Sequence, residues 1–245
     1  MNWRTVVVQT IVVAISASVA VSLTLWLQRP YIPPPPSPPG ETPPSPSHPP
    51  EMAIVKVIMN DGYCSGTIIR PQRSDKRWYV ISASHCFRSV NESVQIRFRD
   101  GKKFSAHVIA IDRKCDGAIL LTEPITEVLP SLELASKTPE AGVKIWHAGF
   151  GFDKPGNREE GKLLSGPDSN GQNKYWLNVS NGDSGGGICL DQENRLLSPV
   201  CCTTRIAQPA NVWGAAPEAL HRMLAQPTRF DELVPKQMPI RKEEE

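Results

Sequence analysis

Apolar positions along this chain fall into three regimes. From Thr5 to Leu27 no residue is charged, a run of 23 residues. As a helix it would be about 34 Å long, enough to cross the hydrocarbon of a bilayer. From Pro30 to Pro50 the apolar periodicity stops and 12 of the 24 prolines are concentrated. From Glu51 onward, short β-branched and aromatic runs alternate with turn residues.

Those short runs predict strands. "MAIVKVIM" is followed by Asn60-Asp61-Gly62, a hairpin-type turn. "CSGTIIRP", "WYVISAS", "SVQIRFRDG", "FSAHVIAID", "AILLT", "VKIWHAGFG", "KYWLNVS", "GGICLD" and "LLSPVCCTT" read the same way, several alternating polar and apolar as half-buried strands do. "PEALHRMLAQP" alone reads as helix, with Pro217 at its start and Leu220, Met223 and Leu224 on one face. Many short strands with one terminal helix predict an all-β barrel or sandwich.

The chain therefore divides into an anchor (1–29), a proline-rich spacer (30–50), a folded domain (51–226) and a charged tail (227–245). The anchor is predicted to remain as a single-pass membrane helix, with Trp3 and Trp26 near its ends suited to the interface. Secretion after cleavage is the alternative, because Ser18-Val19-Ala20 has the small residues a signal peptidase prefers. Arg4 and the amino terminus before the span, against Arg29 after it, predict an extracytoplasmic folded domain. Proline-fixed φ angles predict an extended stalk of roughly 60 Å for the spacer. A net charge of +2 gives no reason to expect nucleic-acid binding. No Cys-x-x-Cys pair is present, and no metal or cofactor is expected.

The candidate chemistry starts at "VSNGDSGGG", residues 179–187. Four glycines in nine positions suit a tight backbone loop that presents its one unencumbered hydroxyl, Ser184. A serine hydroxyl becomes a nucleophile only with an imidazole to take its proton and an acid to orient that imidazole. His107 and His147 fall inside strand patterns and His221 in the helix, where surface or hydrogen-bonded core roles are expected. His85 instead ends "YVISASHC", where an apolar strand runs out into small residues. Asp116 stands immediately before "GAILLT", where a part-buried carboxylate needs a donor such as an imidazole N–H.

Taken in order, "SASHC", "DGAILLT" and "NGDSGGG" resemble the Thr-Ala-Ala-His-Cys, Asp-x-Ala-Leu-Leu and Gly-Asp-Ser-Gly-Gly motifs of the chymotrypsin-like serine proteases. "YCSGTII", "HAGFG" and "NVWGAAPEALHRML" extend the likeness to about residues 52–225. The resemblance implies two perpendicular six-stranded antiparallel barrels with the site between them, acting on protein or peptide substrates. It implies Ser184 as nucleophile, His85 as general base, Asp116 as its orienting acid, and the N–H groups of Gly182 and Ser184 as the oxyanion hole. It further implies a Cys64–Cys86 disulfide beside the histidine, while Cys115, Cys189, Cys201 and Cys202 match no other family bridge. Asn178 stands where trypsins carry the Asp at the base of the primary pocket, and Cys202-Thr203-Thr204 where they carry Ser-Trp-Gly. Together these imply a narrow pocket and an uncharged P1 residue.

Two departures matter. Trypsins pair the Asp beside the nucleophile with an amino terminus freed from Ile-Val-Gly-Gly. Here "AIVKV" lies too close to Cys64 and no Gly-Gly follows, so Asp183 requires another partner or an activation step. The spacing is closer to the HtrA/Deg and trypsin-like-2 branches, and no PDZ-like segment follows. Two alternatives share the motifs: a catalytically silent protease fold used for binding, and a processing protease whose substrate is itself or one partner.

Overall fold

The structure is a computed structural model, and it describes residues 48–70, 74–203 and 209–226. The expected anchor (1–29), nearly all of the spacer (30–50) and the tail (227–245) lie outside the described residues. Among the described residues no helix is long and apolar enough to cross a membrane.

Six antiparallel strands form the first half: β1 (Ile54–Met59), β2 (Gly62–Arg70), β3 (Tyr79–Ala83), β4 (Ser93–Arg97), β5 (Lys103–Asp112) and β6 (Gly117–Thr122). Their order is β1-β4-β5-β6-β3-β2, and β2 pairs back onto β1 from Ile54↔Thr67 to Met59↔Gly62, so the sheet closes into a barrel. Closure leaves this sheet no free edge. The Asn60-Asp61 turn joins β1 and β2 as the sequence predicted.

Eight further strands follow: β7 (Leu132–Leu134), β8 (Lys144–Ala148), β9 (Glu159–Ser165), β10 (Gln172–Leu177), β11 (Gly187–Leu190), β12 (Arg195–Pro199), β13 (Cys202–Thr203) and β14 (Ala210–Ala215). The helix α1 (Pro217–Ala225) ends the described chain. The ladder runs β12-β11-β8-β9-β10-β14-β13. Of the two barrels expected, the first is closed. In the second half β12 and β14 share no ladder among the described residues. After two intervening residues, however, the chain re-enters the sheet as β13, which pairs with β14 (Cys202↔Trp213, Thr203↔Val212), and between β12 and β13 Cys201 N donates to Trp213 O at 2.9 Å.

The three-residue strand β7 lies parallel to both β2 (Ile69↔Leu132) and β12 (Leu196↔Leu134), and joins the two halves in one continuous sheet. Each half has its own apolar centre, around Val57, Val80 and Leu120 in the first and Ile145, Tyr175 and Ile188 in the second. A third cluster fills the space between them. Ile54, Ile81, Ile119 and Leu121 meet Trp146, Phe150 and Leu196 there, together with Leu220 and Met223 of α1. Strand β6 serves two of these cores at once. Ala118 and Leu120 point into the barrel and Ile119 and Leu121 into the space between halves, so all six of its residues are buried. Each such aliphatic side chain contributes about 1.5–3 kcal/mol by burial.

Candidate active site

Three loops meet at the seam between the halves. Strand β3 ends at Ala83, and Ser84–Cys86 make one 3-10 turn that carries His85 outward, its side chain 46% exposed. Asp116 occupies the bend into β6 at φ +58, a left-handed conformation that Asp tolerates better than most residues. Its carboxylate accepts from Ser84 Oγ at 2.7 Å and from His85 N at 2.8 Å. His85 Nδ1 lies 2.8 Å from Asp116 Oδ2. A carboxylate can only accept, so Nδ1 carries the proton and Nε2 is left to accept from Ser184 Oγ, 3.0 Å away. Burial pushes the Asp116 carboxyl up, but the bonds from His85 and Ser84 more than offset this and hold it below its usual 3.8. The Arg113 guanidinium donates to the carbonyls of Ser84, Phe87 (2.6 Å) and Arg88 (3.2 Å), and so ties down the turn that carries the imidazole.

Hydrogen bonding to Asp116, with a further push from Cys86, raises His85 from 6.5 to about 10 against the opposing effect of burial. The Cys86 thiol is itself pushed far up by its hydrogen bond to Cys64 and by burial. It is therefore neutral at working pH, and the Asp116 carboxylate is the contribution that persists. A base must be unprotonated, so kcat/KM is expected to rise with pH along a limb displaced to the alkaline side of 6.5. Asp116→Asn should bring that limb back towards 6.5 in a pH–rate profile. A limb that does not move would mean that Asp116 is not what holds the proton. For stability the sign is opposite: the pair's contribution is full below 6.5 and is lost as pH rises through about 10.

The disulfide expected beside His85 is not formed. Cys64 and Cys86 are both free thiols, as are Cys115 and Cys189. Cys64 is close enough to push the Cys86 thiol up, and Cys64 Sγ lies 3.6 Å from Ser82 Oγ.

The nucleophile loop is fixed peptide by peptide. Gly182 has φ +98, and a Cβ there would lie 2.6 Å from the Tyr63 ring and 2.7 Å from Phe150 O. Gly185 has φ +83, and a Cβ there would strike Ser65 O and Ser82 Oγ. Phe152 N donates to Asn181 O at 2.8 Å and Gly186 N donates to Asp183 O at 2.7 Å. In a trans peptide the N–H points opposite to the C=O. These two bonds therefore orient the N–H groups of Gly182 and Ser184, neither of which donates to an acceptor among the described residues. Two free amides beside a serine hydroxyl form a donor pair suited to a developing oxyanion.

Asp183 has the partner that the sequence left open. It is 6% exposed, and its Oδ2 accepts from Ser180 N at 2.7 Å and Ser180 Oγ at 2.8 Å. His147 Nε2 stands 3.6 Å from the same oxygen, while His147 Nδ1 faces Gly187 O at 3.2 Å. Burial raises the Asp183 carboxyl, but His147 and the Ser180 bonds together hold it below 3.8. His147 was expected to be an ordinary strand histidine, and its role follows only from what β8 lies against. The other histidines match expectation: His107 lies on the surface near Ser93 and Glu123, and His221 Nε2 is 2.9 Å from Ala135 O.

Asn178 lines a cavity of about 260 Å³ shared with His147, Ser180, Asp183 and Phe152. Its side-chain oxygen is buried and makes no hydrogen bond among the described residues. Cys202 and Thr203 form β13, paired to Trp213 and Val212, and Thr204 lies outside the described residues.

Comparison with known proteins bears on the family and the fold. A family model described as "Trypsin-like peptidase domain" matches residues 64–197, just over half of the chain. The structure is similar to Rv3671c from M. tuberculosis H37Rv, solved as an inactive serine-to-alanine mutant. The TM-score is 0.55 and the identity 22%, over 71% of this chain and 86% of that one. It is also similar to a serine endoprotease from Yersinia pestis, with a TM-score of 0.60 and 17% identity over 75% of this chain and 63% of that one. At these identities the likeness is one of fold. No curated protein matches the chain.

Proposed function

The chain belongs to the trypsin-like peptidase family, and from that premise we propose that it is a membrane-tethered serine endopeptidase working through Ser184, His85 and Asp116. The observation that carries the reading is the continuous relay from Asp116 Oδ2 to His85 (2.8 Å) and from His85 to Ser184 Oγ (3.0 Å), beside two unengaged amides. Ser184 Oγ attacks the scissile carbonyl as His85 Nε2 takes its proton. The carbonyl oxygen becomes an oxyanion and receives the N–H groups of Gly182 and Ser184, each worth about 3–4 kcal/mol to the transition state. His85 then returns the proton to the leaving amine, and water enters by the same base to release the acyl group.

The uncharged run of 23 residues before the spacer supports the tether, with the catalytic domain on the extracytoplasmic side. The neutral Asn178 supports an uncharged P1 residue, because at that position an amide replaces the carboxylate with which trypsins pair Arg or Lys. Purified full-length chain treated with a fluorophosphonate probe should carry one label, mapped by peptide mass to Ser184. A label elsewhere, or none, would remove the reading. Cleavage of a P1 peptide library should favour uncharged residues, and dominance of Arg or Lys would refute that part. Release from membranes by alkaline carbonate would refute the tether.

A further inference from the structure

Ser65 is buried at 0% exposure in β2, yet each of its polar groups reaches the catalytic apparatus or its support. Its N–H donates to Ser184 O at 2.7 Å. Its carbonyl accepts from Ser82 Oγ at 2.7 Å. Its hydroxyl donates to Gly182 O at 2.7 Å and accepts from Phe150 N at 2.8 Å. Strand β2 belongs to the first barrel, whereas Phe150 follows β8 and Gly182 precedes β11 in the second half. One hydroxyl therefore ties the oxyanion loop to both sides of the seam.

Gly182 is where such a tie has most effect. Glycine reaches positive and negative φ with similar ease. The peptide between Asn181 and Gly182 can therefore turn its N–H away from the site by exchanging φ +98 for another value. Phe152 N holds that peptide at the Asn181 carbonyl, and Ser65 Oγ holds the next one at the Gly182 carbonyl. With both neighbouring peptides fixed, the Gly182 N–H has one direction.

We propose that Ser65 is a positioning residue of the oxyanion hole, its hydroxyl fixing Gly182 so that the N–H faces the reacting carbonyl oxygen. The proposal rests on the reading of Ser184 and Gly182 given above. A hydroxyl that merely satisfies the core would alter stability alone. One that aims the oxyanion donor alters the transition state and leaves substrate binding unchanged.

The test compares full-length parent and Ser65→Ala protein for kcat, KM and inhibition by a peptide aldehyde, whose tetrahedral adduct places an oxygen in the hole. In the variant, kcat and aldehyde affinity are expected to fall together by about tenfold, less than the 10²–10³ seen when a donor is deleted outright. KM should stay within about twofold, and the acid limb of the pH profile should not move, because the His85–Asp116 pair is untouched. Parent-like kcat and aldehyde affinity with a lowered Tm would overturn the proposal. If the alanine protein does not fold, Ser65→Cys keeps the shape with weaker bonds, and must show the same paired loss at a smaller factor. Parent-like aldehyde affinity in that variant would equally overturn it. Failure of the underlying reading is distinct: the parent itself would then carry no fluorophosphonate label on Ser184.

Discussion

Turnover by the His85→Ala and Ser184→Ala variants is expected to fall by about 10⁶-fold each, and the double variant should fall little further. The geometry is the reason. Ser184 Oγ has its base at 3.0 Å in His85 Nε2, and that nitrogen is free to accept because Asp116 holds the proton on Nδ1. Removing either member removes one and the same proton transfer, so the losses do not add. Asp116→Asn is milder, about 10⁴-fold, because the ring remains and only its tautomer is lost. Folding should survive the first two changes, since His85 is well exposed and neither substitution opens a core. Single-turnover hydrolysis of a peptide ester by purified full-length protein measures all four variants. If the two single losses multiplied in the double variant, Ser184 and His85 would be acting independently, and the relay would be wrong.

Asp183→Asn is expected to have the next largest effect, lowering kcat by about 10²–10³-fold, the range for loss of an oxyanion donor. Asp183 lies between Gly182 and Ser184, and its carboxylate anchors that short stretch to Ser180 and His147 beneath it. Leaving buried hydrogen-bonding groups of this kind without their partner costs about 1–3 kcal/mol. Thermal unfolding should therefore shift together with kcat. The pH dependence gives a second readout. Asp183 titrates below its usual 3.8 when folded, so its contribution is present above that value and is lost as pH falls through the folded pKa. The variant should accordingly lose less stability than the parent between neutral and acid pH. A variant with parent-like kcat would show that the loop stands without this anchor. The internal pair also bears on activation: Asp183 has its partners in Ser180 and His147 without a newly cut amino terminus.

Much of this was legible in the sequence, for a physical reason that differs by element. Strands β1, β6 and β8 were readable because they are buried on one or both faces, which forces apolar residues at fixed spacing. Strand β9 was missed: "EEGKLLS" is mostly exposed or half-buried, with Leu163 the residue it commits to the core. Strand β7 is three residues long and exists because β2 and β12 pair with it from both sides, which no local pattern encodes. His85, Asp116 and Ser184 were legible because their neighbours are restricted to small residues, glycine or a buried strand. Ser65, Arg113 and His147 were not. Each acts through a contact with a residue at least 26 positions away in the chain, and each is unremarkable within its own segment. The unformed disulfide shows the same limit from the other side: that expectation came from the resemblance, and Cys64 and Cys86 stand here as free thiols.

Strand β6 has no outside. Most strands of a small barrel keep one face towards water, and on that face substitutions can accumulate with little cost. Here six consecutive residues are divided between two interiors, and Asp116 is joined directly to the first of them. A methyl group lost or gained along the strand reaches the acid of the relay through the shared backbone and a packed wall. Such a segment has no solvent face on which a substitution goes unfelt, whereas the exposed loops around it have many such positions.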